Sequence, residues 1–79
     1  MTTKEIILEI LNEINDDHDY EKATKIIDDK LLDSFQIVTF VTELCEEFDI
    51  NLSPKWLVPI HFNTVDAIVE MVETVIDEE

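Results

Sequence analysis

Few residues in this chain are placed to do covalent chemistry, and Ser34 is the one whose surroundings invite it. In "KLLDSFQIVTF", residues 30–40, a hydroxyl sits between an acid, Asp33, and a large aromatic residue, Phe35, at the head of an amphipathic pattern. Ser34 is not equipped to attack by itself: no His or Lys stands in the helical turn that follows it, and Asp33 is expected to be occupied in capping the helix. Any reaction at this hydroxyl would have to be performed on it by another enzyme.

The other reactive residue types read as structural. His18 and His61 are far apart in the sequence and form no catalytic pair, and a chain with no glycine has no glycine-rich phosphate loop. Cys45 lies among Glu43, Glu46 and Glu47, whose charge disfavours a thiolate, so it is expected to be a buried or half-buried thiol. The acidic run "DDHDYEK" lacks the glycine a calcium loop needs at its sharp turn, and Asp28 falls where the final bidentate Glu should be. No catalytic residue and no metal site are expected, and the chain is not expected to be an enzyme.

Size and charge narrow the class further. At 79 residues the chain suits a single domain spanning residues 1–79. Twenty acids against five lysines give a net charge of −15, which repels phosphate backbones and anionic lipid and favours basic protein partners. No nucleic-acid partner is expected, and with no apolar run of membrane-spanning length, no membrane insertion. A lone cysteine and an N-terminus without a leader pattern suit a reducing, cytoplasmic setting, and a monomer is assumed.

The elements that must position Ser34 follow from periodicity. Residues 3–14 place Ile7, Ile10, Leu11 and Ile14 at helical spacing behind a capping box formed by Thr2 and Glu5. Residues 15–33 are too polar for a continuous buried element and read as a long loop pinned by Ile26, Ile27, Leu31 and Leu32. A second helix is expected from Ser34 to Phe48, with Asp33 as N-cap and Gln36 reaching back to it. "DINLSPK" breaks the pattern, and a short helical turn near "KWLVPI" is limited by Pro59. Trp56 there is expected to anchor the connection by packing, the other reading being a partner or cargo contact. The last helix shows Val65, Ile68, Val69, Val72 and Ile76 as its stripe, with Asn63 as cap and Asp66 at the third position, before a frayed "DEE". With no glycine and two prolines, the composition agrees with an all-α fold, a small bundle of three to four helices with a long loop between the first two.

On a wheel of about 100° per residue, Ile37, Phe40, Val41, Leu44 and Phe48 form the core stripe of the second helix, and Phe35 lies almost opposite. A ring left in water forgoes roughly 1.5–3 kcal/mol of burial, so either the preceding loop or a partner should cover it. Val38, Cys45 and Thr42 extend a weakly apolar surface beside Ser34, and Glu43, Glu46, Glu47 and Asp49 give it an acidic rim suited to a transient interface.

These residues resemble the acyl carrier protein family and the related peptidyl and D-alanyl carrier domains, along nearly the whole chain. "LLDSF" is similar to the family's attachment motif, "VTELCEEFDINL" to the rest of its second helix, and "FNTVDAIVEMV" to the start of its last. Two features depart from the pattern: no glycine precedes the Asp-Ser pair, and Phe35 stands where leucine is commonest, a D-alanyl- or peptidyl-carrier-like feature. The resemblance implies 4′-phosphopantetheine, derived from coenzyme A, on Ser34 as a phosphodiester, with Asp33 as its orienting neighbour. Phe35, Val38, Thr42 and Glu46 would then meet the partners. Those would be a phosphopantetheinyl transferase using Mg²⁺, an acyl- or aminoacyl-activating ligase, and downstream acyl-transferring or condensing enzymes that exchange thioesters. Fatty acyl, polyketide, amino acid and D-alanine cargoes stay open. The alternative is an unmodified acidic helical adaptor whose second helix binds a basic partner.

Overall fold

The computed structural model describes residues 2–16 and 18–78. Asp17 of the acidic run and Glu79 of the terminal "DEE" lie outside the described residues. The fold is all-α, a small helical bundle with no strand among the described residues. In chain order come α1 (Thr3–Ile14), α2 (Ser34–Phe48), a 3₁₀ turn (Pro54–Trp56), α3 (Pro59–Phe62) and α4 (Val65–Glu78).

The helix starts are written in short-range hydrogen bonds. The Thr2 hydroxyl accepts from the Glu5 N–H at 3.2 Å while the Glu5 carboxylate accepts from the Thr2 N–H at 3.2 Å, closing a capping box on α1. At α2 the Asp33 carboxylate accepts from the Gln36 N–H at 2.8 Å, and the Gln36 side-chain oxygen accepts from the Asp33 N–H at 3.1 Å. Both boxes stand where the sequence puts them. α2 ends at Asp49, whose φ of 52° is left-handed, a position glycine would usually fill and that Asp tolerates.

The helical turn near "KWLVPI" is short, as expected: the 3₁₀ turn ends at Trp56, Val58 is extended ahead of the proline, and Pro59 opens α3 at its first position, where its missing N–H costs nothing. One sequence expectation needs correction. Asn63 is not the cap of the last helix. The Thr64 hydroxyl takes that place, accepting from the Ala67 N–H at 3.0 Å, and Asn63 instead closes α3.

α1 packs on α2 and on α4, and α4 also packs on α3. Ile7 and Leu11 of α1, Phe40 and Leu44 of α2, and Ile68 and Val72 of α4 meet in the core. Because α4 has a neighbour on two sides, its buried face is wider and turned from the expected stripe: Met71 and Val75 are buried, Val69 is half-buried and Ile76 is exposed. The long loop is held as expected by Ile26 and Leu32, which are buried, with Ile27 and Leu31 half-buried. Each buried aliphatic contributes roughly 1.5–3 kcal/mol against the cost of ordering the loop. Tyr20 joins them, 1% exposed, an anchor that the polar residues around it conceal in the sequence. Trp56 is half-buried against the core with the His61 ring edge-on at 5.0 Å, so the packing role applies.

Candidate functional site

Ser34 is exposed at the first position of α2, directly after the capping Asp33. No acidic side chain stands in the first turn of α2, so the partial positive charge of the free backbone N–H groups there is offset only by the cap itself. One residue on, the loop leaves Phe35 uncovered at 79% exposure, and Val38 is 64% exposed. Of the two ways to cover the Phe35 ring, the loop is therefore not the one used. Thr42 continues the same surface; its hydroxyl donates to the Val38 carbonyl at 2.9 Å, so its proton is engaged within the helix.

The acid residues divide between two sides of α2. Glu46 is exposed near the Phe35 and Thr42 stripe, but Glu43, Glu46 and Glu47 also line a groove with Ile10 and Glu13 of α1. The negative rim is thus heaviest toward α1, away from Ser34's side of the helix. Cys45 is half-buried against the core, in line with a structural thiol. His18 and His61 each keep an aromatic neighbour of their own, Tyr20 and Trp56 respectively. Among the described residues, no cluster of three or more His, Cys, Asp or Glu is arranged to hold a metal, and no helix is long and apolar enough to cross a membrane.

A feature that the sequence does not disclose lies along the other edge of the Ser34 surface. Ile37, Val38, Val41 and Thr42 of α2 form one wall of an apolar cleft of about 410 Å³, and Ile27 of the loop with Leu57, Val58, Pro59 and Phe62 forms the other. This is why Ile37 and Val41, though on the core stripe, are only half-buried. Phe62 lines the cleft and meets Phe40 of the core edge-to-face, with centroids 6.3 Å apart. Leu57 and Val58 stay partly in water at its rim, 47% and 39% exposed. The volume falls within the range of small-molecule sites. Periodicity gives the faces of helices, but this wall comes from an irregular segment and a loop residue, whose mutual approach has no periodic signature.

No protein-family model, curated protein or solved structure matches the chain.

Proposed function

We propose that the chain is a carrier protein that bears 4′-phosphopantetheine on Ser34 and presents acyl thioesters to partner enzymes. The observation that carries the reading is the exposed Ser34 at the first position of α2, next to the Asp33 cap, with an uncovered apolar patch beside it. A phosphodiester anion placed there meets the free N–H groups and dipole of the first turn, a favourable setting for negative charge. In the transfer, the Ser34 oxygen bonds to the phosphorus bearing pantetheine in coenzyme A. The pyrophosphate bond breaks, adenosine 3′,5′-bisphosphate leaves, and the serine proton passes to a base on the transferase. The bound arm supplies a terminal thiol on which cargo is held as a thioester.

The chain's own residues bind and orient. Asp33 fixes the first turn by accepting the Gln36 N–H, which holds the Ser34 backbone in place for a transferase. Phe35, Val38, Thr42 and Glu46 offer partners an apolar centre with one charge at its edge, and the wider field of −15 draws basic partners to it. Partners would be the transferase, an activating ligase and acyl-transferring or condensing enzymes of the cytoplasm. The largely apolar lining of the cleft beside Val38 suits an acyl chain better than a charged aminoacyl group, for whose ammonium the Thr42 hydroxyl is the one polar side chain in the lining.

The exposure of Phe35 equally suits an unmodified adaptor that binds a basic partner. Intact mass after incubation with coenzyme A, Mg²⁺ and a broad-specificity phosphopantetheinyl transferase separates the two. A carrier gains one phosphopantetheine and its Ser34→Ala variant none. No gain with several transferases leaves the adaptor.

A further inference from the structure

The apolar cleft has two walls of different origin. α2 is a fifteen-residue helix packed on α1, whereas the opposite wall combines a loop residue, Ile27, with the short α3 and the residues leading into it. A four-residue helix cannot hold its position by internal hydrogen bonds alone, and the loop has no regular ladder. Something must hold these two pieces together for the wall to exist.

Asn63 does so. Its side-chain oxygen accepts from the Ile27 N–H at 3.0 Å and the Asp28 N–H at 3.1 Å, and its side-chain nitrogen donates to the Asp28 carboxylate at 3.1 Å. Its backbone carbonyl accepts from the Ile26 N–H at 2.9 Å, while its own N–H donates to the Pro59 carbonyl at 2.9 Å, closing α3. One residue thus ends the helix that presents Phe62 and clasps the three loop residues that present Ile27. An Asn suits this task because it offers acceptor and donor on one short planar group.

We propose that Asn63 is a positioning residue that preorganises the apolar cleft by locking the loop at residues 26–28 to the end of α3. The clasp touches the core only through Ile26 and Phe62: the buried residues of α1, α2 and α4 make none of its hydrogen bonds, and the α4 cap belongs to Thr64 next door. Without the clasp Ile27 can leave the wall, and an apolar guest must then pay to reassemble the site on binding. The inference needs only the cleft, and stands apart from whether Ser34 is modified.

The test uses the unmodified full chain and Nile red, a neutral apolar dye that the protein's charge does not repel. Amide shifts of Ile27, Ile37, Val41 and Thr42 report whether the dye enters this cleft. Asn63→Ala is expected to weaken dye binding at least about fivefold and to speed hydrogen exchange at the Ile27 and Asp28 amides about tenfold. Thr64→Ala, which removes the α4 cap and leaves the clasp intact, serves as the control for a general loss of stability. It is expected to lower the melting temperature while retaining dye affinity. Dye binding unchanged in Asn63→Ala, an equal loss in Thr64→Ala, or no dye-induced shifts at the cleft residues in the parent would overturn the proposal.

Discussion

Lys30 occupies a backbone conformation that only glycine adopts without penalty, in a chain that has no glycine. Its φ is 56°, and the turn it makes feeds residues 31–33 into the start of α2. The turn is well bonded, with the Lys30 N–H donating to the Ile27 carbonyl at 3.0 Å and the Leu31 N–H to the Ile26 carbonyl at 3.0 Å, so the conformation is imposed by its surroundings. A side chain bearing Cβ costs roughly 1–2 kcal/mol there, and the greater freedom of an unfolded glycine gives back about 0.4–1 kcal/mol of any gain. Lys30→Gly should therefore stabilise the fold by about 0.5–1 kcal/mol. The change also removes one of five cations from a chain of net charge −15, a loss that works against stability. Lys30→Ala removes the same charge and keeps the Cβ, so the comparison between the two variants isolates the backbone. At about 4–8 °C per kcal/mol for a domain of this size, Lys30→Gly should melt about 2–8 °C above Lys30→Ala in a thermal scan followed by circular dichroism. Equal melting temperatures would show that the positive φ carries no strain, and that the turn before Ser34 is not held against its residue's preference.

Phe35→Ala should leave the melt within about 0.5 kcal/mol of the parent, because the ring is exposed, while slowing transferase loading of Ser34; unchanged loading kinetics would remove Phe35 from the partner surface. Asp33→Ala should cost about 0.5–2 kcal/mol through loss of the bond to the Gln36 N–H, whereas Asp33→Asn should retain most of the stability, both read by urea unfolding. The hydrogen bonds from the Thr2 N–H and hydroxyl hold the Glu5 carboxyl below its ordinary range. A depressed folded pKa means that its contribution is complete above the unfolded value and fades as pH falls through the folded one. Glu5→Gln should therefore flatten the acid limb of the stability curve, and an unchanged limb would show that the box does not depend on the charge.

What the sequence disclosed follows from how local each cause is. α1 and α2 were legible to the residue because a capping pair three positions apart and an apolar stripe both lie within a few residues of the element they define. Ser34 and the uncovered Phe35 were legible for the same reason, since a wheel shows which side of a helix faces away from the core. The sequence points to Asn63 as a cap because asparagine before a Thr-Val pair has the makings of one. Its actual partners, the amides of residues 27 and 28, are more than thirty positions away. Tyr20 and the second wall of the cleft share that dependence on long-range approach. The stripe of α4 turned because its burial is decided by two neighbouring helices, and a single-stripe pattern allows for only one.

The position of the modification can be read by digesting the chain after lysine once it has been incubated with coenzyme A and transferase. Lys30 and Lys55 bracket Ser34, so cleavage isolates residues 31–55 as one peptide carrying Ser34, Thr39, Thr42 and Ser53 as its hydroxyls. If Ser34 is the attachment residue, that peptide carries phosphopantetheine and its fragments place the group on Ser34 alone. An unmodified peptide, or a group placed on another hydroxyl, would contradict the carrier reading of the exposed serine at the head of α2.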